Sequence, residues 1–227
     1  MFRFPIFYVI MLSCFSLFGQ ETQTRSIKTF HALRVEGPVD VRLVKGSAPS
    51  VRIETKGFPT GKVEAEVTGF TLRIALEGSV FRNNSKVDVW VTYRDLDRIT
   101  ASGAGNIFGN EILRVKFLEL ETTSAATIEL EVEADRVSIE SSTAGQVIIG
   151  GKTNMLEIDC TTSAVVDAYR LSAEEVNASV KTAGSAKVHV LKAIEAEVST
   201  AGSLRYRGSP ERSNLQSATG GSIRKAD

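Results

Sequence analysis

A chain of 227 residues with 42% hydrophobic and 24% charged residues has the composition of a globular protein and excludes a disordered or collagen-like one. Its 27 basic residues balance 27 acidic ones, so no global field draws it to nucleic acid or to an anionic membrane, and no nucleic-acid partner is expected.

The first residues read as an export signal. Arg3 supplies a small positive segment, residues 6–12 an apolar core, and Phe18-Gly19-Gln20 an end, so residues 1–19 form a secretory signal peptide with cleavage at Gly19 and Gln20. A membrane span needs about 20 apolar residues. Here Ser13, Ser16 and Gln20 interrupt a shorter run, and no transmembrane span is expected in the mature chain. A second processing route stays open, because Cys14 follows Met11-Leu12-Ser13 in a loose likeness to the motif before a lipidated cysteine. With Cys14 removed or lipidated, Cys160 is the one remaining thiol and no intramolecular disulfide can form. Cys160 ends the alternating run Leu156, Ile158, Cys160 and reads as a small buried hydrophobe.

Residues 27–97 are rich in strand patterns. Val39, Val41 and Leu43 alternate, as do Val63, Ala65 and Val67, then Leu72, Ile74 and Leu76, then Val87, Val89 and Val91. Turn signals at Lys45-Gly46, Gly57-Phe58-Pro59, Thr68-Gly69 and Arg82-Asn83-Asn84-Ser85 separate them. Such short connections predict hairpins with antiparallel pairing. Glu36-Gly37-Pro38-Val39-Asp40-Val41 has the outline of Ser102-Gly103-Ala104-Gly105-Asn106-Ile107 further on, and reads as an outlying first coil.

Residues 98–225 carry a beat of roughly 19 residues. Small-residue clusters end at Gly105, Ala126, Gly145, Ala164, Gly184, Gly202 and Gly221, with steps of 21, 19, 19, 20, 18 and 19. The apolar residue ahead of each cluster, at Ile99, Leu120, Ile139, Ile158, Ala178, Ala196 and Leu215, repeats those steps. Between clusters the apolar residues alternate with charged ones, which is the period of a strand with one buried face. A repeat this short holds strands and tight corners but no helix able to cross a sheet. Stacking such repeats pairs strands in parallel at about 4.8 Å and buries a continuous apolar ladder. The predicted fold is therefore all-β: a right-handed parallel β-helix of about seven coils with an N-terminal antiparallel hairpin region, the hand taken from that of parallel crossovers. Gly103 and the seven cluster-ending residues would be structural corners, glycine supplying unusual backbone angles and close approach. Residues 27–225 read as one unit without a linker.

These residues also bring a family into view. The opening Phe30-His31-Ala32-Leu33-Arg34-Val35-Glu36-Gly37-Pro38-Val39-Asp40-Val41, the middle Val87-Asp88-Val89-Trp90-Val91-Thr92-Tyr93, the stretch Ile99-Thr100-Ala101-Ser102-Gly103-Ala104-Gly105-Asn106-Ile107 and the ending Tyr206-Arg207-Gly208-Ser209-Pro210 resemble the head GIN domain family of autotransporter-adhesin-like proteins, common among secreted proteins of Bacteroidota. The resemblance implies a β-helical fold and an adhesin-like role, and it brings no catalytic residues. Ala164-Val165-Val166 and Gly220-Gly221 depart from the usual corners.

Candidate sites are few. Gly103-Ala104-Gly105-Asn106-Ile107-Phe108-Gly109 has the glycines of a phosphate loop, but the third glycine is one position late and a strand pattern follows where a helix is needed. Glu140, Glu157, Asp159 and Asp167 are the carboxylates a polysaccharide-cleaving β-helix would use, yet charges alternating with apolar residues describe a solvated face. Thr123, Ser142, Thr162, Thr182 and Thr200 could form a hydroxyl array, although Gly and Ala break each unit. His31 and His189 lack partners at metal-ligand spacing. The sequons at Asn83 and Asn177 carry little weight. Trp90, opposite in phase to Val89 and Val91, is the one candidate for surface contact, set against packing under a neighbouring hairpin. No catalytic residue, cofactor or metal is expected. The reading is an exported, non-enzymatic protein of the periplasm, outer-membrane surface or exterior that offers a rigid surface to a glycan or protein of the cell envelope. A structural or self-assembling homo-oligomer is the alternative, and a polysaccharide-active enzyme a more distant one.

Overall fold

A computed structural model describes residues 21–78 and 85–226. The signal segment with Cys14, Gly19 and Gln20, and the sequon at Asn83, lie outside the described residues. Apart from a three-residue 3-10 turn at Thr60–Lys62, the regular elements are strands. They are β1 (Glu21–Ser26), β2 (Ala32–Glu36), β3 (Asp40–Lys45), β4 (Ser50–Lys56), β5 (Val63–Thr68), β6 (Thr71–Leu76), β7 (Lys86–Tyr93) and β8 (Arg98–Ser102). Then come β9 (Asn106–Thr122), β10 (Thr127–Ser141), β11 (Gln146–Cys160), β12 (Val165–Val180), β13 (Ser185–Val198), β14 (Ser203–Arg207), β15 (Arg212–Ser217) and β16 (Ser222–Lys225).

The strands form a β-solenoid of about seven turns. From β9 to β13 each long strand runs through a bend, so its first half pairs in one sheet and its second half in another. Asn106, Thr127, Gln146, Val165, Ser185, Ser203 and Ser222 are successive parallel partners, which reproduces the uneven steps of the sequence. Slips in register fall at the bends, for example between Glu129 and Glu131 and between Ala168 and Ser172, and absorb the differences in coil length. The interior is a set of apolar ladders. Leu118, Val137, Leu156, Val176 and Ile194 stack in one, and Ile107, Ile128, Val147, Val166, Ala186 and Leu204 in another. All are buried. Each fully buried aliphatic side chain contributes about 1.5–3 kcal/mol.

The N-terminal region mixes two pairing modes. β1 with β4, β4 with β7, and β5 with β6 are antiparallel. Only β5 and β6, joined at Gly69-Phe70, form a hairpin of chain neighbours among the described residues. β2 and β3 continue the solenoid as a further coil, parallel to β8 and β9. β6 and β7 lie parallel on the other side of β2 and β3. The expected hairpin between β3 and β4 is absent, because β7 is inserted between them. The apolar alternation of β3, β4 and β7 fits either pairing, so strand pattern alone does not fix the partner.

The corners differ from the simple expectation in an instructive way. In all seven clusters the second and third residues both have positive φ, as at Thr143 (51°) and Ala144 (60°), Thr182 (50°) and Ala183 (60°), or Thr200 (51°) and Ala201 (61°). With a hydrogen bond from the fourth N–H to the first carbonyl, such as Gly184 to Lys181 at 2.9 Å, each is a mirror-image tight turn. Except at Gly103 and Gly220, non-glycine residues carry the left-handed backbone. The glycines sit at the fourth position for close approach: a Cβ on Gly184 would lie 2.5 Å from the Cys160 carbonyl oxygen, and one on Gly202 2.4 Å from that of Val180. Each corner also bonds the next, from the N–H of Ala144 to the Thr162 carbonyl and from Ala183 to Thr200. Left-handed backbone costs an L-residue about 1–2 kcal/mol, and these bonds hold it in place. Adjacent substitutions should therefore act in opposite directions. Ala183→Gly should raise stability by about 1 kcal/mol once the entropy of the added glycine is allowed for, whereas Gly184→Ala should lower it, as read from urea unfolding midpoints.

Candidate functional site

The outward side chains of the first sheet form rows across neighbouring strands. One row runs Arg52, Trp90, Arg42, Phe108, Glu129, Ile148, Asp167, Lys187, Arg205 and Arg224, from β4 to β16. Two aromatic clusters stand on this face.

At the N-terminal end, Trp90 lies between β4 and β3, half-buried. It is a sheet residue with a paired strand on either side. The guanidinium of Arg52 sits 4.0 Å from the ring centroid and that of Arg42 5.2 Å, both within cation–π range. Arg42 donates to Asp88 at 2.7 Å, and Arg52 pairs with Glu54 at 3.4 Å. Burial pushes the Asp88 carboxyl up, but hydrogen bonds from Arg42 and Lys86 outweigh it and hold the group below its ordinary value.

Toward the other end, Tyr169 has Lys187 at 5.7 Å and Arg207 at 5.6 Å from its ring centroid. Lys187 bonds Asp167 at 2.9 Å. Arg207 donates to the Tyr169 carbonyl, while its Nε is buried without a hydrogen-bond partner. His189 is half-buried here, 3.3 Å from the Ser172 hydroxyl. Burial, with repulsion from Arg207, pushes its pKa down and keeps it neutral near pH 7.

The other sequence candidates are dispersed. Glu140, Glu157 and Asp159 share the outward face of the second sheet, and Asp167 stands on the first. Glu157 is engaged by Arg136 at 2.5 Å. Among the described residues no group of three His, Cys, Asp or Glu side chains is placed to hold a metal. Cys160 is fully buried in the interior, 3.2 Å from the Ala164 carbonyl, and burial pushes its thiol up to about 11, so it carries no thiolate reactivity. His31 packs beside Phe70, ring centroids 5.6 Å apart. The glycine-rich stretch at Gly103 is a corner that opens directly into β9. The hydroxyl residues do not form one row: Thr123 and Ser142 are first residues of their corners, while Thr162, Thr182 and Thr200 are second residues with positive φ. Along the bends runs a shallow groove of about 1030 Å³, in which Arg114 pairs with Glu133, while Glu174 pairs with Lys192 beside it.

Comparison with protein families finds a match over residues 29–210 to the family described as "Putative auto-transporter adhesin, head GIN domain". The chain belongs to this family. Crystal structures of similar fold include a "putative adhesin" from Bacteroides fragilis at 19% identity and a TM-score of 0.81, covering 92% of this chain and 97% of that one. Another, from Parabacteroides merdae, has 20% identity and a TM-score of 0.75 over 92% and 96% of the two chains. A third, from Parabacteroides distasonis, is described as a "Putative lipid binding protein" and has 19% identity and a TM-score of 0.72 over 92% and 97%. At such identities the likeness shows the fold alone. No protein of curated function matches the sequence.

Within this head GIN domain the Trp90 cluster was half legible in advance. The phase of Trp90 against Val89 and Val91 placed it outward, but Arg42 and Arg52 come from strands 38 or more residues away and give no local signal. Tyr169 and Arg207 were missed for the same reason. Trp90 is the one tryptophan in the chain, so its fluorescence reports this cluster directly. The stability that Asp88 contributes is fully present above its unfolded value of 3.8 and is lost as pH falls through the lower folded value. Emission should stay constant from pH 7 to about 4 and change in a step below that, and Asp88→Asn should remove the step.

Proposed function

We propose that this protein is an exported, non-enzymatic binding module of the cell envelope or surface, acting as an adhesin-like platform for a glycan or protein. The observation that carries this reading is the pair of aromatic clusters on one continuous sheet face. Trp90 on β7 and Tyr169 on β12 are five strand spacings apart, about 24 Å, and each ring is bracketed by two cations.

Rings and guanidiniums fixed by a hydrogen-bonded sheet are ordered before any partner arrives. A surface of that kind spends little entropy on binding. Aromatic residues and arginine are also the side chains that most often dominate recognition. Family membership supports the adhesin-like role, and the export signal expected over residues 1–19 supports secretion. No helix among the described residues is long and apolar enough to cross a membrane.

Screening the purified mature chain against envelope glycans and surface proteins should yield a partner. Trp90→Ala should weaken its binding at least tenfold, about 1.4 kcal/mol, with the β-sheet circular dichroism unchanged. Turnover of an envelope polymer, abolished by Asp159→Asn or Asp167→Asn, would count against the reading.

A further inference from the structure

Charge is balanced over the chain but not over its surface. At the C-terminal end of the first sheet, Lys187, Arg205 and Arg224 are successive partners on β13, β14 and β16. Like charges directly opposite one another on adjacent strands destabilise a sheet. Lys187 is compensated by Asp167, but Arg205 and Arg224 are exposed and have no carboxylate partner among the described residues. Most other surface arginines are paired, among them Arg42, Arg73, Arg98, Arg114 and Arg136. The row begins beside Tyr169, whose ring holds Lys187 and Arg207, and Arg205 and Arg224 continue it on the two strands beyond β13. A repulsive row that begins at an aromatic ring, in a protein that pairs most of its other arginines, has the character of a site whose counter-charge comes from outside.

We propose that this row binds a linear acidic polysaccharide, its carboxylates or sulfates set along the chain at a spacing close to that of the strands. The proposal rests on the reading of the protein as a binding module and names the ligand class for the C-terminal end of its face. Arginine forks suit carboxylate and sulfate groups, a pyranose advances along its polymer by about one strand spacing, and Tyr169 offers a ring at the Lys187 end of the row.

A second copy of the protein also carries a complementary row, Glu121, Glu140 and Asp159, on its second sheet. That pairing would supply only exposed ion pairs, worth about 0–1 kcal/mol each. Three of them fall short of the association cost of at least about 4 kcal/mol. A polyanion adds the release of its condensed counterions, so its binding should weaken steeply with salt.

Titration of the purified chain with polygalacturonate, dextran sulfate and neutral dextran at low and high salt tests the proposal. Salt-sensitive binding to an acidic polymer and none to dextran is expected. Arg205→Gln with Arg224→Gln should weaken it at least tenfold while leaving the unfolding temperature unchanged or raised, since a repulsion is removed. Arg114→Gln with Arg136→Gln, an equal change of charge elsewhere, should alter binding less than twofold. Equal loss in both double variants, equal affinity for neutral dextran, or equal affinity for a DNA oligonucleotide would overturn the acidic-polysaccharide site. A change of oligomeric state in the Arg205 and Arg224 variant without a change in polymer binding would assign the row to contacts between copies, and would overturn it too. Failure with acidic polymers alongside capture of another glycan or protein would sink this proposal alone. Failure with every glycan and protein tested would sink the binding-module reading with it.

Discussion

The structure depends on one close contact repeated along its edge: the glycine that ends five of the seven corners lies against a carbonyl of the coil before. At Gly184, Gly202 and Gly221 the space for a Cβ is already taken by the oxygens of Cys160, Val180 and Val198. This approach lets the N–H groups of successive turns reach the next corner, and those bonds hold pairs of non-glycine residues in the left-handed region. Tight corners in turn let successive coils stack at the spacing that the parallel hydrogen-bond ladders require. Every outward row, including those that carry Trp90 and Arg205, inherits its geometry from that edge.

Much of this was legible in the sequence, for a physical reason. A solenoid writes its contacts at a fixed separation, so the positions of Gly105 through Gly221 recorded the uneven coil lengths that the strand register shows. The division of labour inside each corner was not legible. Composition reveals small residues, but whether glycine serves backbone angle or clearance depends on where the neighbouring carbonyl lies. The insertion of β7 between β3 and β4 was equally hidden, since all three strands alternate alike and any pairing would bury the same faces. The surface clusters were visible only as single residues. Trp90 announced its direction, whereas its two arginines belong to other strands.

The two ends of the solenoid are managed differently. At the N-terminal end β1, β4 and β5 lie antiparallel over the coils and take up backbone groups that would otherwise stand open. At the other end β15 and β16 each pair on one side only. They are short and display Arg212, Asn214, Gln216, Arg224 and Lys225, the polar and charged decoration that discourages further strands from joining an edge. The uncompensated Arg224 therefore serves the edge as well as the proposed ligand row, and a substitution there bears on aggregation and on binding together.

The insertion of β2 and β3 between the coil formed by β6 and β7 and the coil formed by β8 and β9 sets an order of assembly. β2 meets its neighbours only after β6 and β8 exist, so the first coil closes loops of roughly 40 to 65 residues, and non-local closures of this kind are slow. From β9 onward each coil needs only the one just completed. A chain emerging from its N-terminus would thus spend its slow step on the cap and then add coils rapidly on a finished template, with the growing edge always at the end not yet made. Folding of this protein should behave like nucleated polymerisation within a single molecule, its lag set by the first hundred residues and its elongation by the corners.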